Sequence, residues 1–255
     1  MFSDNMTWGA IPDGFQKITD QRGNRLAVRS DRQTEILVST CLEIDKRGAA
    51  AGVYGRGDMR SLTLGDGTTA LFRGYRHGGL LRALTGEYFF SWPPRPFREL
   101  TITEALRRRG FPTVEVYAAC VEKVAGPIYR GWLVTRRLEG AHDLWAGLQS
   151  GFAERVGVEA ILKAVAASIR HMHREGIFHY DLNLKNILIR GSAAGVESHV
   201  IDFDKAMLVL GPLPAPLAHK NLARLLRSIR KLDPERRYFS AASWDIFWDY
   251  YHAAA

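Results

Sequence analysis

The most constraining feature of this chain is the order of its segments between residues 154 and 204. A helical pattern over 154–175, with Val158, Ile161, Leu162, Val165, Ile169 and Met172 at helical spacing, stops at Gly176. H-Y-D-L-N-L-K-N follows at 179–186, then the short apolar run I-L-I-R, a turn-like G-S-A-A-G, and H-V-I-D-F at 199–203. Two apolar runs joined by a glycine turn predict a hairpin. Asp181 and Asn186, five residues apart on one loop, can point into one cleft, and the hairpin returns Asp202 beside them. A single such residue would be read as a cap or turn; the ordered combination is far rarer by chance.

Elsewhere the pattern is strands first and helices later. Residues 1–30 read as irregular structure with one short strand, and 32–46 as a helix capped by Asp31. From Val53 to Tyr75 short strands alternate with glycine turns, with G-D-G at 65–67 as a hairpin signal. A helix over Arg98–Arg109 ends at Gly110, and T-V-E-V-Y-A-A-C and W-L-V-T-R-R-L read as further strands. Helices are expected at about 217–232 and 241–252. This is an α+β, bilobal layout: a β-rich N-lobe with one main helix over 1–140, and a mostly helical C-lobe over 141–255.

The chemistry implied by the loop is phosphoryl transfer. The protein-kinase catalytic loop has the form H-x-D-L-x-x-x-N and is followed by a metal-binding D-F-G; residues 179–186 match every fixed position of the first, and 202–204 read D-F-D. Such a reaction needs an oriented hydroxyl and cations against the phosphate oxygens. Asp181 can accept or orient the hydroxyl proton, while Asn186 and Asp202 offer oxygen ligands to hard Mg²⁺. Lys185 can reach the transferred phosphate, and Lys205 is a weaker candidate. His179 is expected to hold the loop to the second motif, and His171 and His173 to pack or face solvent. For the nucleotide, Gly55, Arg56 and Gly57 can lay backbone amides over phosphates, although a bare G-x-G is equally a turn. Arg73 stands where a kinase has the strand lysine, and Glu99 can pair with it; a planar fork there replaces a point charge. Arg76, His77, Gly78 and Gly79 extend this cluster toward an anionic substrate.

Taken together, G-R-G, L-F-R-G-Y-R-H-G-G-L-L, R-P-F-R-E-L, R-R-G-F-P-T-V, H-Y-D-L-N-L-K-N-I-L-I, I-D-F-D-K and N-L-A-R-L-L-R-S-I-R-K resemble the 3-deoxy-D-manno-octulosonic acid (Kdo) kinases of the lipopolysaccharide kinase family. Asn183 and Asp204 set this pattern apart from ordinary protein kinases. The resemblance implies a protein-kinase-like fold and ATP-dependent phosphorylation of the 4-hydroxyl of a Kdo sugar on lipid A, at the cytoplasmic face of a Gram-negative inner membrane. By position it implies Asp181 as the catalytic aspartate, Asn186 and Asp202 as metal ligands, Arg73 as the phosphate-binding cation and Glu99 as its helix partner. His77 stands where the family usually has arginine, and the first 50 residues match poorly.

Bulk properties set the outer limits. A 46% hydrophobic, 24% charged composition suits a globular protein with a real core. The net charge of +8 favours an anionic partner, such as a glycolipid or an anionic membrane surface. No nucleic-acid recognition motif accompanies it, and no protein partner is inferable. Cys41 and Cys120 have neither disulfide-framework nor metal spacing. The N-terminus lacks the pattern of a signal peptide, and no apolar run is long enough to span a bilayer. No A-P-E-like segment follows Asp202, which favours a small or lipid-linked acceptor over a peptide. The 217–232 helix sets Lys220, Arg224, Arg227, Arg230 and Lys231 beside apolar residues, which suits either lipid docking or a solvated basic face on an ordinary core helix. Rival readings are a kinase for heptose or for a soluble sugar or aminoglycoside, and a non-catalytic pseudokinase.

Overall fold

The computed structural model describes residues 7–51, 59–76 and 86–253. The chain divides into two compact units, Met1–Ala105 with Val114–Arg137, and Leu106–Thr113 with Leu138–Ala255.

The first unit is built on β1 (Phe15–Thr19), β2 (Arg25–Arg29), α1 (Val38–Arg47), β3 (Ala49–Ala51), β4 (Met59–Thr63), β5 (Thr69–Gly74), α2 (Arg95–Arg108, whose last turn belongs to the second unit), β6 (Val116–Ala125) and β7 (Ile128–Arg136). The strands form a seven-stranded antiparallel sheet in the order β1-β2-β6-β7-β5-β4-β3. Alternate residues feed two apolar layers, as the two-residue strand period requires. Leu26, Val28, Cys120, Trp132 and Val134 pack with Cys41 and Ile44 of α1, whereas Ala27, Ala119, Val121 and Leu133 pack with Phe97 and Leu100 of α2. Both layers are buried, so the central strands read as nearly continuous apolar runs. The G-D-G turn lies where it was expected, between Thr63 and Thr69.

Two expectations fail in this unit. The N-terminal segment carries a hairpin, β1–β2, rather than one short strand; the Asp20 carboxylate closes its turn by accepting the N–H groups of Arg22 and Asn24, each at 2.9 Å. The helix expected over 32–46 begins only at Val38, because Ser30–Arg32 forms a single 3₁₀ turn and a short turn follows.

The second unit contains β8 (His142–Asp143), α3 (Leu144–Gln149), α4 (Phe152–Val156), α5 (Val158–Arg174), β9 (Ile177–His179), β10 (Ile187–Ser192), β11 (Gly195–Val200), β12 (Ala206–Leu208), α6 (Ala215–Leu232) and α7 (Ala241–His252). The helix expected over 154–175 is broken at Gly157, whose φ of +83° no helix admits. Its buried stripe is as the spacing requires: Ile161, Leu162, Val165, Ile169 and Met172. The second strand of the hairpin ends at Val200 rather than Phe203, so Asp202 lies beyond the ladder, with φ +73°. In α6, Leu222, Leu225 and Ile229 are buried and serve the core; Lys220, Arg227, Arg230 and Lys231 are exposed, whereas Arg224 is half-buried over the Phe178 ring.

Gly176 ends α5 at φ +73°, and a Cβ there would lie 2.3 Å from the Gly211 carbonyl oxygen and 2.5 Å from that of Val209. Both obstacles are backbone, so neither can rotate away. Gly176→Ala is therefore expected to lose about 1–3 kcal/mol from the dihedral alone, and more from the clash, read as a lowered thermal midpoint.

Candidate active site

The H-Y-D-L-N-L-K-N loop is held by its own backbone and by two helices. The side-chain amides of Asn183 and Asn186 both donate to the Asp181 carbonyl, at 2.9 and 2.8 Å. The Asn183 oxygen in turn accepts the Lys185 N–H at 2.9 Å. Because Asn186 spends its nitrogen on Asp181, its amide orientation is fixed and its oxygen end is the acceptor. The Ile201 N–H donates to the Asn186 carbonyl at 3.0 Å, which ties the loop to the residue before Asp202.

His179 is the clip between loop and second motif. The Asp181 N–H donates to its Nδ1 at 3.1 Å, so that nitrogen carries the lone pair and the proton sits on Nε2. Nε2 then donates to the Ile201 carbonyl, also at 3.1 Å. Burial pushes the pKa of His179 down, which keeps this neutral tautomer. Its ring packs against Phe203, and Ala206 of β12 pairs with His179 in β9.

Three further residues position this loop: Asn221 and Ser228, which lie in the N-L-A-R-L-L-R-S-I-R-K run but to which the sequence assigns no site role, and His173. Asn221 of α6, fully buried, donates to the His179 carbonyl at 2.6 Å and accepts its N–H at 3.2 Å. Ser228, about two turns further on, accepts the Leu184 N–H at 3.2 Å. His173 of α5 meets the Asn221 oxygen through Nε2 and the Tyr251 hydroxyl through Nδ1. A lone Asn or Ser inside an amphipathic helix gives no sequence signal for such a role; only the fold supplies its partner.

Burial lowers the His173 pKa to about 4 from 6.5, against a smaller opposing effect of its hydrogen bond to Asn221. The unfolded chain therefore binds the extra proton first as pH falls, and stability is complete above about 6.5 and lost on the way down to about 4. The loss is on the order of 3 kcal/mol, and His179 drifts the same way. Chemical denaturation at a series of pH values checks this, and His173→Gln should flatten the curve across that window.

In the first unit, Arg73 on β5 and Glu99 on α2 are brought together: one guanidinium nitrogen lies 2.7 and 2.6 Å from the two carboxylate oxygens. Glu99 is buried and also accepts from the Tyr75 hydroxyl, a partner the sequence did not suggest. The guanidinium stands 4.9 Å from the Tyr75 ring centroid. Gly55, Arg56 and Gly57, with His77, Gly78 and Gly79, lie outside the described residues. Lys185 and Lys205 are exposed, Asp181 is exposed, and Asp204 is buried. His171 sits edge-on against Phe111.

Among the described residues there is no group of three or more His, Cys, Asp or Glu that could hold a metal by itself. The donors around this loop are an amide oxygen and carboxylates, which suits a hard cation that completes its shell with water and phosphate oxygens. A soft, protein-enclosed metal would need other ligands.

The family model described as "Lipopolysaccharide kinase (Kdo/WaaP) family" matches residues 46–251. A 3-deoxy-D-manno-octulosonic acid kinase of Pasteurella multocida is 33% identical over 191 residues, covering 73% of this chain and 77% of that protein. One of Stenotrophomonas maltophilia is 31% identical over 209 residues, covering 80% and 79%. In fold, the chain is similar to a solved structure of WaaP in complex with acyl carrier protein, with a TM-score of 0.57, 17% identity, and 94% and 90% of the two chains covered. The chain belongs to the lipopolysaccharide kinase (Kdo/WaaP) family.

Proposed function

We propose that this protein is a sugar kinase that transfers the γ-phosphoryl group of ATP, with Mg²⁺, to the 4-hydroxyl of a Kdo sugar on a lipid A acceptor. The observation that carries the reading is the double clamp of Asn183 and Asn186 on the Asp181 carbonyl. It fixes the loop by main chain and leaves the Asp181 side chain exposed for the acceptor hydroxyl. The family relationship and the printed names of the relatives support the acceptor.

In this reading Asp181 orients the hydroxyl and takes its proton as the new P–O bond forms. Asn186 and Asp202 would hold Mg²⁺, which when bound supplies positive charge against the phosphate oxygens. Lys185 is exposed on the same loop and is assigned to the transferred phosphate. Arg73, oriented by Glu99, whose two carboxylate oxygens both accept from one of its guanidinium nitrogens, is assigned to the nucleotide phosphates. Gly55, Arg56 and Gly57 complete the proposed nucleotide clamp. The location proposed is the cytoplasmic face of the inner membrane. A net charge of +8 supports contact with an anionic surface, and no helix among the described residues is long and apolar enough to cross a membrane.

The test is labelled ATP offered with Kdo-lipid A, a heptosylated core, and free sugars including an aminoglycoside. Label in Kdo-lipid A alone is expected. Label only in heptose or a soluble sugar replaces the acceptor, and nucleotide binding without transfer to any of them makes the chain a pseudokinase.

A further inference from the structure

Most arginines of this chain that the structure describes are paired: Arg130 with Glu87 and Glu122, Arg32 with Asp66, Arg190 with Glu197, Arg29 with Glu115. The far end of α6 is different. Arg227, Arg230 and Lys231 lie on its last turns, Arg236 follows in the next loop, and among the described residues none of these side chains has an ion pair or hydrogen bond. Arg230 and Arg236 line a cavity of about 490 Å³, whose walls include Leu226, Phe239 and Trp244. The one carboxylate in that wall, Asp233, is occupied. It accepts the N–H groups of Arg237, Tyr238 and Phe239 at 2.8 to 2.9 Å, and its carbonyl accepts that of Arg236.

Those bonds hold Arg236 at φ +54°, a backbone state that favours glycine. Tyr238, edge-on to Trp145 at 5.7 Å, anchors the same loop. Unpaired cations beside a half-buried indole and an apolar wall fit a sugar that carries an anion: guanidinium groups take the charge and the ring lies on the aromatic face. Ser228, which accepts from Leu184 of the catalytic loop, is two residues before Arg230, so α6 meets that loop and this cavity on opposite faces.

We propose that this cavity binds a carboxylate or phosphate ester carried on a sugar of the acceptor, away from the hydroxyl that is phosphorylated. The acceptor's identity rests on the function proposed above; the anion site does not. Calorimetric titration at constant ionic strength, with N-acetylglucosamine 6-phosphate, free Kdo, N-acetylglucosamine and inorganic phosphate as probes, tests it directly. At least one anionic sugar is expected to bind tenfold or more tighter than neutral N-acetylglucosamine, and which one does so names the anion. The double variant Arg230→Gln/Arg236→Gly should lose that binding tenfold or more. Glycine relaxes the backbone at 236, so the variant should fold at least as well as the parent. On Kdo-lipid A the variant should raise KM at least tenfold with kcat within twofold. Binding and KM unchanged in the variant, or inorganic phosphate binding as tightly as either anionic sugar, overturns the proposal. Loss of anionic-sugar binding in a protein that never phosphorylates Kdo-lipid A removes the acceptor reading and leaves the site.

Discussion

Asp181→Asn is expected to lower turnover by about 10²–10⁴-fold, the range for losing a positioned general base, with nucleotide affinity within a few-fold of the parent. The structure makes this substitution unusually clean. Asp181 contributes to the loop through its N–H, on His179, and its carbonyl, on Asn183 and Asn186. Its carboxylate is exposed and makes no hydrogen bond or ion pair among the described residues. Asparagine preserves the backbone bonds and the shape, so the folding midpoint should not move. Turnover within threefold of the parent would remove Asp181 from its role, whatever the acceptor proves to be.

The second large effect is expected outside the catalytic loop, at Asn221 of the N-L-A-R-L-L-R-S-I-R-K run. Asn221→Ala removes both hydrogen bonds to the His179 backbone and the contact with His173. Each buried polar group left without a partner costs about 1–3 kcal/mol, so the loss of stability should be on the order of 4 kcal/mol. Urea unfolding measures it. Below the new midpoint, the surviving native fraction should also show reduced kcat, because strand β9 and the loop that follows it are no longer tied to α6. Asn221→Asp should recover the acceptor bond only, and therefore less than half of the stability. An Asn221→Ala variant as stable as the parent would mean that the clip is replaced by solvent at no cost.

Asn221 also marks where legibility in the sequence ended. Asp181, Asn186 and Asp202 were readable because their spacing is local: a loop, a hairpin and a return, all within 22 residues. The pairing of Arg73 with Glu99 was readable because Arg73 stands where a kinase has its strand lysine, with Glu99 near the start of the next helix. Asn221 and Ser228 act on residues 42 and 44 positions away, and no periodicity encodes such a partner. The boundary errors share a cause. Asp31 looks like a helix cap, yet its neighbours prefer a single 3₁₀ turn, and Gly157 inside an apolar periodic run is a break the hydrophobic pattern hides. Asp202 was expected at the end of a strand. It stands instead in a left-handed conformation just past β11, where an Asp side chain tolerates what a β-branched residue would not. The basic helix over 217–232 could be read two ways, and packing decides how its apolar residues are used: Leu222, Leu225 and Ile229 face the core.

The central claim is a phosphoryl transfer to a lipid-linked Kdo hydroxyl that depends on Asp181. Its most direct test is the mass spectrum of Kdo-lipid A after incubation with Mg²⁺-ATP and the protein, with fragmentation to locate the change. A gain of one phosphate group on the 4-hydroxyl of Kdo is expected, absent with Asp181→Asn. An unmodified acceptor, or a phosphate on any other sugar, would contradict it.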